Sequence, residues 1–229
     1  MIARVLQEAP AFFTGYNILF LLQAMGATLL LSLGGCLVGS TVGLGLTLVR
    51  ASEAGALMPA RVAAWAFVEF FRRVPPLVVL LLVFFASNLL RGQISLFGIA
   101  MIGLCLVATA SLTEIIRGGI ESVHPAQWES AESLNFGYLR AFFWVVLPQA
   151  WRVILPPAIS FMLLFIKDTA FASQVGTLEL TAAGKILTTK GFTAALAYGS
   201  VLILYFLLST ALAGLGNWLE KRIAFPGNR

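Results

Sequence analysis

Long apolar stretches without a charged side chain dominate the chain. Four of them run from Ala9 to Val49, from Val74 to Leu90, from Gly92 to Thr113 and from Gly191 to Leu219, and a fifth, from Val153 to Val175, is interrupted only by Lys167 and Asp168. A bilayer core about 30 Å thick is crossed by a helix of roughly 20 apolar residues, and the alternating pattern of a membrane β-strand is not visible. The pattern predicts an all-α, polytopic membrane protein with about five transmembrane helices.

The first stretch contains 41 residues, enough for two short spans. Its interior, SLGGCLVGSTVGLGL, has no polar cluster that would form a turn, and a lipid-exposed turn is not tolerated at membrane depth. We therefore expect one long helix, preceded by an interfacial segment at Phe12 and Phe13. Small residues at close spacing indicate a tight contact with another helix. They are Gly34, Gly35, Gly39, Ser40, Gly43 and Gly45.

The segment from Pro125 to Pro157, PAQWESAESLNFGYLRAFFWVVLPQAWRVILPP, is a long amphipathic interruption of this apolar sequence. Proline is favoured at the first position of a helix, and Trp128, Ala131 and Leu134 then recur on one helical face. The spacing predicts a short helix from Pro125 to Leu134. Because the flanking sequence suits hydrocarbon, we expect this segment to dock onto a water-soluble partner, with Ala131 on the docking face.

A turn and a second helix are expected to follow. Asn135 is predicted to end the first helix, because asparagine readily adopts the left-handed conformation found at a helix C′ position. Gly137 permits a second sharp change of direction. The second helix is expected from Tyr138 to Val146, with Pro148 closing it.

Composition and charge support a membrane location and indicate an orientation. Of the 229 residues, 59% are hydrophobic and only 11% are charged. With the N-terminus outside and the C-terminus inside, more basic residues face inward than outward, as cytoplasmic loops prefer. The inward set is Arg50, Arg61, Arg117, Arg140, Arg152, Lys221, Arg222 and Arg229, and the outward set is Arg4, Arg91, Lys185 and Lys190. The polar segment is then cytoplasmic, and the basic pI does not indicate nucleic-acid binding.

Catalytic and metal-binding patterns are missing from the sequence. Cys36 and Cys105 lie inside apolar stretches, and no Cys/His spacing suits a metal ion. His124 is the single histidine, and no nucleophile–base arrangement can be assembled around it. The stretch from Gly176 to Lys185 lacks the spacing and the Ser/Thr of a phosphate-binding loop. We therefore expect no catalytic residue, no metal ligand and no cofactor in this chain.

The polar segment resembles the cytoplasmic loop of the permease subunits of bacterial ATP-binding-cassette (ABC) importers. That loop carries E-A-A, three residues, G, then nine residues and I-x-L-P. Here Glu129, Ser130 and Ala131 match the opening with Ser as the second residue, and Asn135 stands at the glycine position. The I-x-L-P end of the motif corresponds to Val145–Pro148, with Val145 in place of isoleucine and Leu147-Pro148 matching.

Further matches resemble the polar amino acid branch of that family, the histidine/glutamine permease type. They are VEFFRRVPPLVVLLLVFF, TEIIRGGIESVHPAQWESA, LPQAWRVILPP and KDTAFAS. The sequence departs from the branch at several positions, which are Arg73 and Val74 for Gly-Thr, Ser111 where Tyr is common, and Ala170-Phe171 for Ser-Leu.

The resemblance implies a type I importer permease (MetI-like) fold in the bacterial inner membrane, with residues 1–229 forming a single transmembrane domain. Its partners would be a second permease subunit, the same or a paralogue, two cytoplasmic ATPase subunits that use ATP and Mg, and an extracytoplasmic substrate-binding protein. A coupling segment at about 121–150 would contact the ATPase. Its implied coupling residues are Gln127, Trp128, Glu129, Ala131, Leu134, Asn135 and Gly137.

Two other classes of membrane protein are alternatives. An ATP-independent secondary carrier or channel subunit would also be polytopic, but such carriers usually show internal repeats and paired broken helices. A membrane anchor for a redox enzyme would be expected to carry haem-ligating histidines inside its helices, and the sequence has none there.

Charged and polar residues inside the apolar stretches are candidates for the substrate pathway, because such groups usually face a bundle interior or cavity. They are Ser111, Glu114, Lys167, Asp168, Thr169 and Ser173. An acidic side chain and a basic one would suit the two charges of an amino acid. The alternative is structural bracing, in which Glu114 pairs with Arg117 at i, i+3 while Lys167 and Asp168 brace neighbouring helices or the second permease.

Overall fold

A computed structural model of the chain describes residues 2–52, 55–90 and 93–223. In these ranges the chain forms α-helices, short 3₁₀ turns and one π-helical turn, and no β-strand. The helices are α1 (Ile2–Phe12), α2 (Gly15–Ala51), α3 (Met58–Arg73), α4 (Pro76–Leu89), α5 (Leu96–Glu121), α6 (Pro125–Ser133), α7 (Tyr138–Ala141), α8 (Leu147–Asp168), α9 (Leu180–Thr189) and α10 (Ala194–Ile223). The all-α prediction is confirmed. Arg91 and Arg229, which entered the charge count above, lie outside the described residues.

Four helical segments of the described chain are long and apolar enough to cross a membrane. They are α2, α5, the continuous stretch Tyr138–Val175 that contains α8, and α10 up to Arg222. The pair α3 and α4 makes a fifth candidate, bent by 114° at its break. The predicted number of about five spans is therefore confirmed if this bent pair counts as one.

The second span does not have the form that the sequence suggested. The stretch from Val74 to Leu90 yields only α4, whose 14 residues extend about 21 Å and fall short of a bilayer core. Val74 and Pro75 are both extended, with ψ values of 132° and 137°. Two consecutive prolines remove the N–H groups that would continue α3 into α4, so the helix breaks there.

α2 is one uninterrupted helix of 37 residues, as predicted, and it forms its most extensive contact with α5. A Cβ placed on Gly39 would lie 2.9 Å from the carbonyl carbon of Ala108, and one on Gly43 would lie 3.1 Å from the backbone nitrogen of Thr113. The two backbones are thus in direct contact. The predicted small-residue contact is confirmed at these glycines, whereas Gly45 faces open space.

The second helix of the polar segment does not end at Pro148, which corrects the prediction. α7 passes into a π-helical turn, Phe142–Val146, and then directly into α8. In the π turn the Leu147 N–H donates to the Phe142 carbonyl, five residues back. The wider turn admits Pro148, which has no N–H to donate, in the first turn of α8.

At the opposite end of the bundle from α6, a buried carboxylate begins α9. Glu179 is fully buried, and its side chain accepts hydrogen bonds from the N–H groups of Thr181 (2.9 Å) and Ala182 (2.8 Å) and from the Tyr205 hydroxyl (2.9 Å). The Thr28 hydroxyl of α2 accepts from the Leu180 N–H at 3.2 Å. These bonds attach α9 to α2 and α10.

α1 lies against this same end. Its Phe12 ring is fully buried and packs edge-on against Phe192. The Glu8 carboxylate accepts a 2.7 Å hydrogen bond from the Thr193 N–H just before α10, and this bond holds the pKa of Glu8 below its usual value. The predicted interfacial segment at Phe12 and Phe13 is therefore the end of a docked helix.

The contact between α2 and α5 predicts opposite effects of the same substitution at two glycines. Gly39→Ala inserts a methyl group where the Ala108 backbone leaves no room, so we expect a loss of about 1–3 kcal/mol in stability. Gly45→Ala is the matched control, since nothing lies within 4 Å of its Cβ position and alanine favours helix. Thermal unfolding of the purified variants in detergent measures both. Equal melting temperatures would contradict the packing described here.

Candidate functional site

The polar segment is built from two capped helical pieces. α6 begins at Pro125, and the His124 imidazole Nδ1 caps it by accepting from the Ala126 N–H at 3.2 Å. At the other end Asn135 has φ 63°, the one positive φ of a non-glycine residue in the described chain. The Asn135 N–H donates to the Glu132 carbonyl at 2.8 Å and the Phe136 N–H to the Ala131 carbonyl at 3.0 Å. This is a Schellman ending, and the predicted conformation of Asn135 is confirmed.

Gly137 does not use the freedom of glycine. Its φ of −67° and ψ of 157° are accessible to any residue, and a Cβ placed there would meet nothing within 4 Å. It lies immediately before α7, where an extended conformation is normal for the residue that precedes a helix. The change of direction therefore comes from Asn135, and the expectation of a second glycine-dependent bend was wrong.

Side-chain contacts hold the segment against the body of the protein. The Trp128 and Tyr138 rings stack, with centroids 5.5 Å apart and planes inclined by 13°. The Gln149 amide nitrogen donates to the Gln127 side-chain oxygen at 3.0 Å, so α6 is joined to the start of α8. Phe142, in the π turn, is buried in a cluster with Ile116 and other residues of α5.

Ala131 belongs to this inner side and is only 2% exposed. Its predicted place on an exposed docking face is therefore wrong. The i, i+3, i+6 spacing of Trp128, Ala131 and Leu134 predicts one face, but the helix ends at Ser133 and its cap turns Leu134 outward. Leu134 is 72% exposed. It is accompanied on the outer surface by the polar residues Glu129, Ser130, Glu132 and Ser133.

A cleft of about 670 Å³ separates the segment from the end of α2. Its walls are Ala51, Ser52, Trp128, Glu132, Phe136, Tyr138 and Ala141. The cleft is open and has both polar and apolar walls.

Beside the segment, Glu114 of α5 forms ion pairs with three arginines from three helices. Its Oε1 lies 2.5 Å from Arg50 Nη1 of α2, and its Oε2 lies 3.3 Å from Arg72 Nη1 of α3 and 2.9 Å from Arg117 Nη2 of α5. Arg117 also pairs with Glu121 at 2.5 Å. Because both carboxylate oxygens are engaged, the cluster supports the bracing alternative for Glu114. Removing the Glu114 carboxylate would leave the charges of three neighbouring arginines without it, which is costly.

The sequence indicated one member of this cluster and missed two. Arg117 at i, i+3 from Glu114 was a recognisable helical pair. Arg50 and Arg72 are 64 and 42 positions away in the chain, and no local spacing relates them to Glu114. The available signal was their place near the ends of apolar helices, where a charged side chain often pairs with another charged group.

The remaining pathway candidates lie elsewhere in the bundle. Lys167 is exposed and Asp168 is half-buried, and neither forms an ion pair with any residue that the structure describes. Thr169 is fully buried and its hydroxyl donates to the Ile166 carbonyl at 2.7 Å, while the Ser173 hydroxyl donates to the Ala170 carbonyl at 2.7 Å. Ser111 is half-buried on α5.

The carboxylates of Glu114 and Asp168 are far apart along the bundle. A Cβ on Gly35 would touch the Phe165 ring and the backbone of Leu104, which places the end of α8 beside Leu104 of α5. Glu114 lies ten residues further along α5, or about 15 Å. One small zwitterion is too short to contact Glu114 and Asp168 together, so the geometry does not bring the candidates into a single site.

Residues 59–225 match the family described as the binding-protein-dependent transport system inner membrane component. This match covers more than half of the chain, and the chain belongs to that family. It is a multi-pass inner-membrane transport component, and the family depends on a separate binding protein.

Individual relatives agree with this assignment. The chain is 32% identical to the probable amino-acid ABC transporter permease protein YckA of Bacillus subtilis (strain 168) over 205 residues, which cover 90% of this chain and 89% of the relative. It is 31% identical to the arginine ABC transporter permease protein ArtQ of Haemophilus influenzae over 146 residues, covering 61% and 66%. The ATP-independent carrier has no counterpart among these relatives.

Solved structures support the fold. A crystal structure of an amino acid ABC transporter with histidines matches with a TM-score of 0.81 at 26% identity, over 90% of this chain and 95% of that chain. The inward-facing MetNI methionine ABC transporter matches with a TM-score of 0.80 at 18% identity, over 93% and 100%. The expected type I importer permease (MetI-like) fold is confirmed.

Proposed function

We propose that the chain is the permease subunit of an ABC importer for a polar amino acid or a related small solute, coupled to a cytoplasmic ATPase through the segment from Pro125 to Pro148. The observation that carries this proposal is the capped α6, which presents an exposed Leu134 and a polar surface at the end of an apolar bundle. The amino acid class rests on the names of the relatives, and the segment supplies the coupling.

The proposed assembly contains a second permease subunit, two ATPase subunits that hold ATP and Mg, and an extracytoplasmic binding protein. In this arrangement residues 1–229 are one transmembrane domain with its N-terminus outside and its C-terminus inside. The excess of basic side chains at the α6 end supports this orientation. The coupling segment, at about 121–150, then faces the cytoplasm.

The segment would act as a rigid lever between the ATPase and the membrane. Its rigidity comes from the Schellman ending at Asn135 and from the Trp128–Tyr138 stack, and the π turn continues it into α8 without a break. Glu114 joins α5, which leads into α6, to α2 and α3. A movement of the ATPase would therefore be passed to several helices together, as in a rigid-body transition between inward-open and outward-open states.

Leu134→Arg tests the coupling surface. The side chain is exposed, so we expect the variant to fold and insert normally but to lower ATP-dependent uptake by about tenfold or more, as substitution of a central contact residue does. The measurement is uptake of amino acids into vesicles that contain the assembly, with and without ATP.

Leu6→Arg is the matched control, because Leu6 is 69% exposed on α1 at the other end of the molecule. We expect it to retain uptake. Ala131→Arg, by contrast, should reduce the amount of folded protein, since Ala131 is buried. Normal ATP-dependent uptake by Leu134→Arg, or uptake without ATP by the parent protein, would contradict the proposed function.

For the translocation pathway, we propose that Lys167 and Asp168 contact the substrate at the end of α8 and that Glu114 braces the helices. Both side chains are without an ion-pair partner among the described residues, and charged groups at membrane depth usually face a polar cavity. Ser173 is half-buried and its hydroxyl donates to the Ala170 carbonyl, so it is a candidate as an acceptor. The Thr169 hydroxyl donates to the Ile166 carbonyl in the same way and is fully buried, which makes it a weaker candidate. Ser111 lies toward Glu114 on α5 and would be reached only by a substrate that extends that far.

Asp168→Asn tests whether Asp168 contacts the substrate or only braces the helices. Loss of the carboxylate charge should raise the apparent KM for uptake about tenfold, the usual effect of losing a hydrogen bond to a charged group. Glu114→Gln is the comparison variant, and it should lower the melting temperature and leave KM unchanged. An unchanged KM in Asp168→Asn would remove that residue from the pathway.

A further inference from the structure

A second cleft, of about 440 Å³, lies between the end of α2 and the beginning of α3. Its walls are Arg50, Gly55, Met58, Arg61, Val62 and Trp65. Among the described residues that line this space, two carry a guanidinium group and none carries a carboxylate. Ligand sites in proteins commonly have volumes of about 300–1,000 Å³, so the cleft is large enough for a small charged group.

The cleft is electropositive for two separate reasons. Arg50 is shared with Glu114, whereas Arg61 has no acidic partner within the described part of the chain. The first turn of α3 carries no acidic residue, and Leu57 provides no side-chain cap. The positive end of the helix dipole is therefore not compensated by a side chain, and an anion is favoured there.

α3 has the form of a helix that lies in the membrane interface. α4 packs along α5, and the 114° bend turns α3 away from the direction of α4. Because α4 and α5 would run across the membrane, α3 would then lie closer to the membrane plane. α3 carries Arg61, Glu69, Arg72 and Arg73 in 16 residues, too many charges for the hydrocarbon core, so α4 supplies the apolar part of the bent fifth span. Amphipathic helices with a basic polar face bind at the interface in this orientation.

The same end of α3 carries an exposed apolar stripe next to the arginines. Met58, Val62 and Trp65 follow at i, i+4 and i+7 and are 63%, 58% and 55% exposed. The stripe shares this cleft with Arg61. A ligand that fits both parts has an anionic headgroup and an apolar tail, and tryptophan beside arginine is typical of the headgroup region.

We propose that this cleft binds an anionic phospholipid. The phosphate lies between Arg61 and Arg50 at the beginning of α3, and an acyl chain follows Met58, Val62 and Trp65. A phospholipid is favoured over a water-soluble phosphate because a soluble phosphate has no apolar part to cover the exposed stripe. Basic pockets between membrane helices also bind acidic headgroups. The bound lipid would hold α3 against α2 next to the Glu114 cluster.

Arg61→Gln tests the proposal by native mass spectrometry of the delipidated chain, purified with the subunits that accompany it. The protein is titrated with phosphatidylglycerol and, separately, with phosphatidylcholine of the same acyl chains. We expect phosphatidylglycerol to bind more tightly, and Arg61→Gln to weaken that binding about fivefold, the usual contribution of one basic side chain near an anionic lipid.

Arg73→Gln is the matched control, because it removes the same charge from the same helix at a residue that pairs with Glu69 and does not line the cleft. It should bind phosphatidylglycerol like the parent protein. Melting temperatures of both variants exclude a folding defect. Equal binding of the two lipids, unchanged binding by Arg61→Gln, or full displacement of the lipid by glycerol 3-phosphate would overturn the proposal. The experiment measures lipid binding and not transport, so it tests the lipid proposal separately from the proposed function.

Discussion

The close approach of α2 to α5 is the constraint on which the arrangement of the bundle depends. At Gly39 and Gly43 the two backbones touch, because neither position carries a side chain. In a bilayer, packing of this kind replaces the hydrophobic effect as the force between helices. Its consequence appears one turn beyond, where the single Thr47 hydroxyl proton is shared between the Gly43 carbonyl at 2.8 Å and the Thr113 carbonyl of α5 at 3.3 Å. The ends of the two helices are therefore fixed in register.

This register brings Arg50 to Glu114, and the ion-pair cluster follows from it. Arg72 reaches the same carboxylate because the two prolines turn α3 away from α4 at that level. Three helices thus meet at one acidic side chain, and the coupling segment begins a few residues later on α5. Glu69 and Glu121 pair with Arg72 and Arg117 at the edge of the cluster, and Glu114 is the acidic side chain that joins all three helices.

Continuity of the chain through the segment is the second structural property that matters for coupling. A proline at position 148 would be expected to separate the segment from α8, and the π turn prevents this. α6 therefore has a fixed beginning at His124, a fixed ending at Asn135 and a continuous path through α7 into α8. The proposed coupling to a cytoplasmic ATPase needs such a path, because the ATPase would release the energy for transport outside the membrane.

Local features of the fold could be predicted from the sequence, and long-range ones could not. The helical class, the single long α2 and the left-handed Asn135 depend on neighbouring residues, and composition, spacing and backbone chemistry sufficed for them. The burial of Ala131 depends on what packs against α6, and the partners of Glu114 come from α2 and α3. The consecutive prolines Pro75 and Pro76 indicate a helix break, but the 114° angle of the bend is set by packing. The Glu179 cap of α9 combines a local pair of N–H groups with Tyr205 from another helix.

The most direct test of the central claim is photo-crosslinking from position 134 in the assembled transporter. A photoreactive amino acid replaces Leu134 in one preparation and Leu6 in another. Docking through the coupling segment predicts a covalent adduct with the ATPase subunit from position 134 and none from position 6. An assembly that takes up its substrate with ATP, yet forms no adduct from position 134, would contradict the proposed role of this segment.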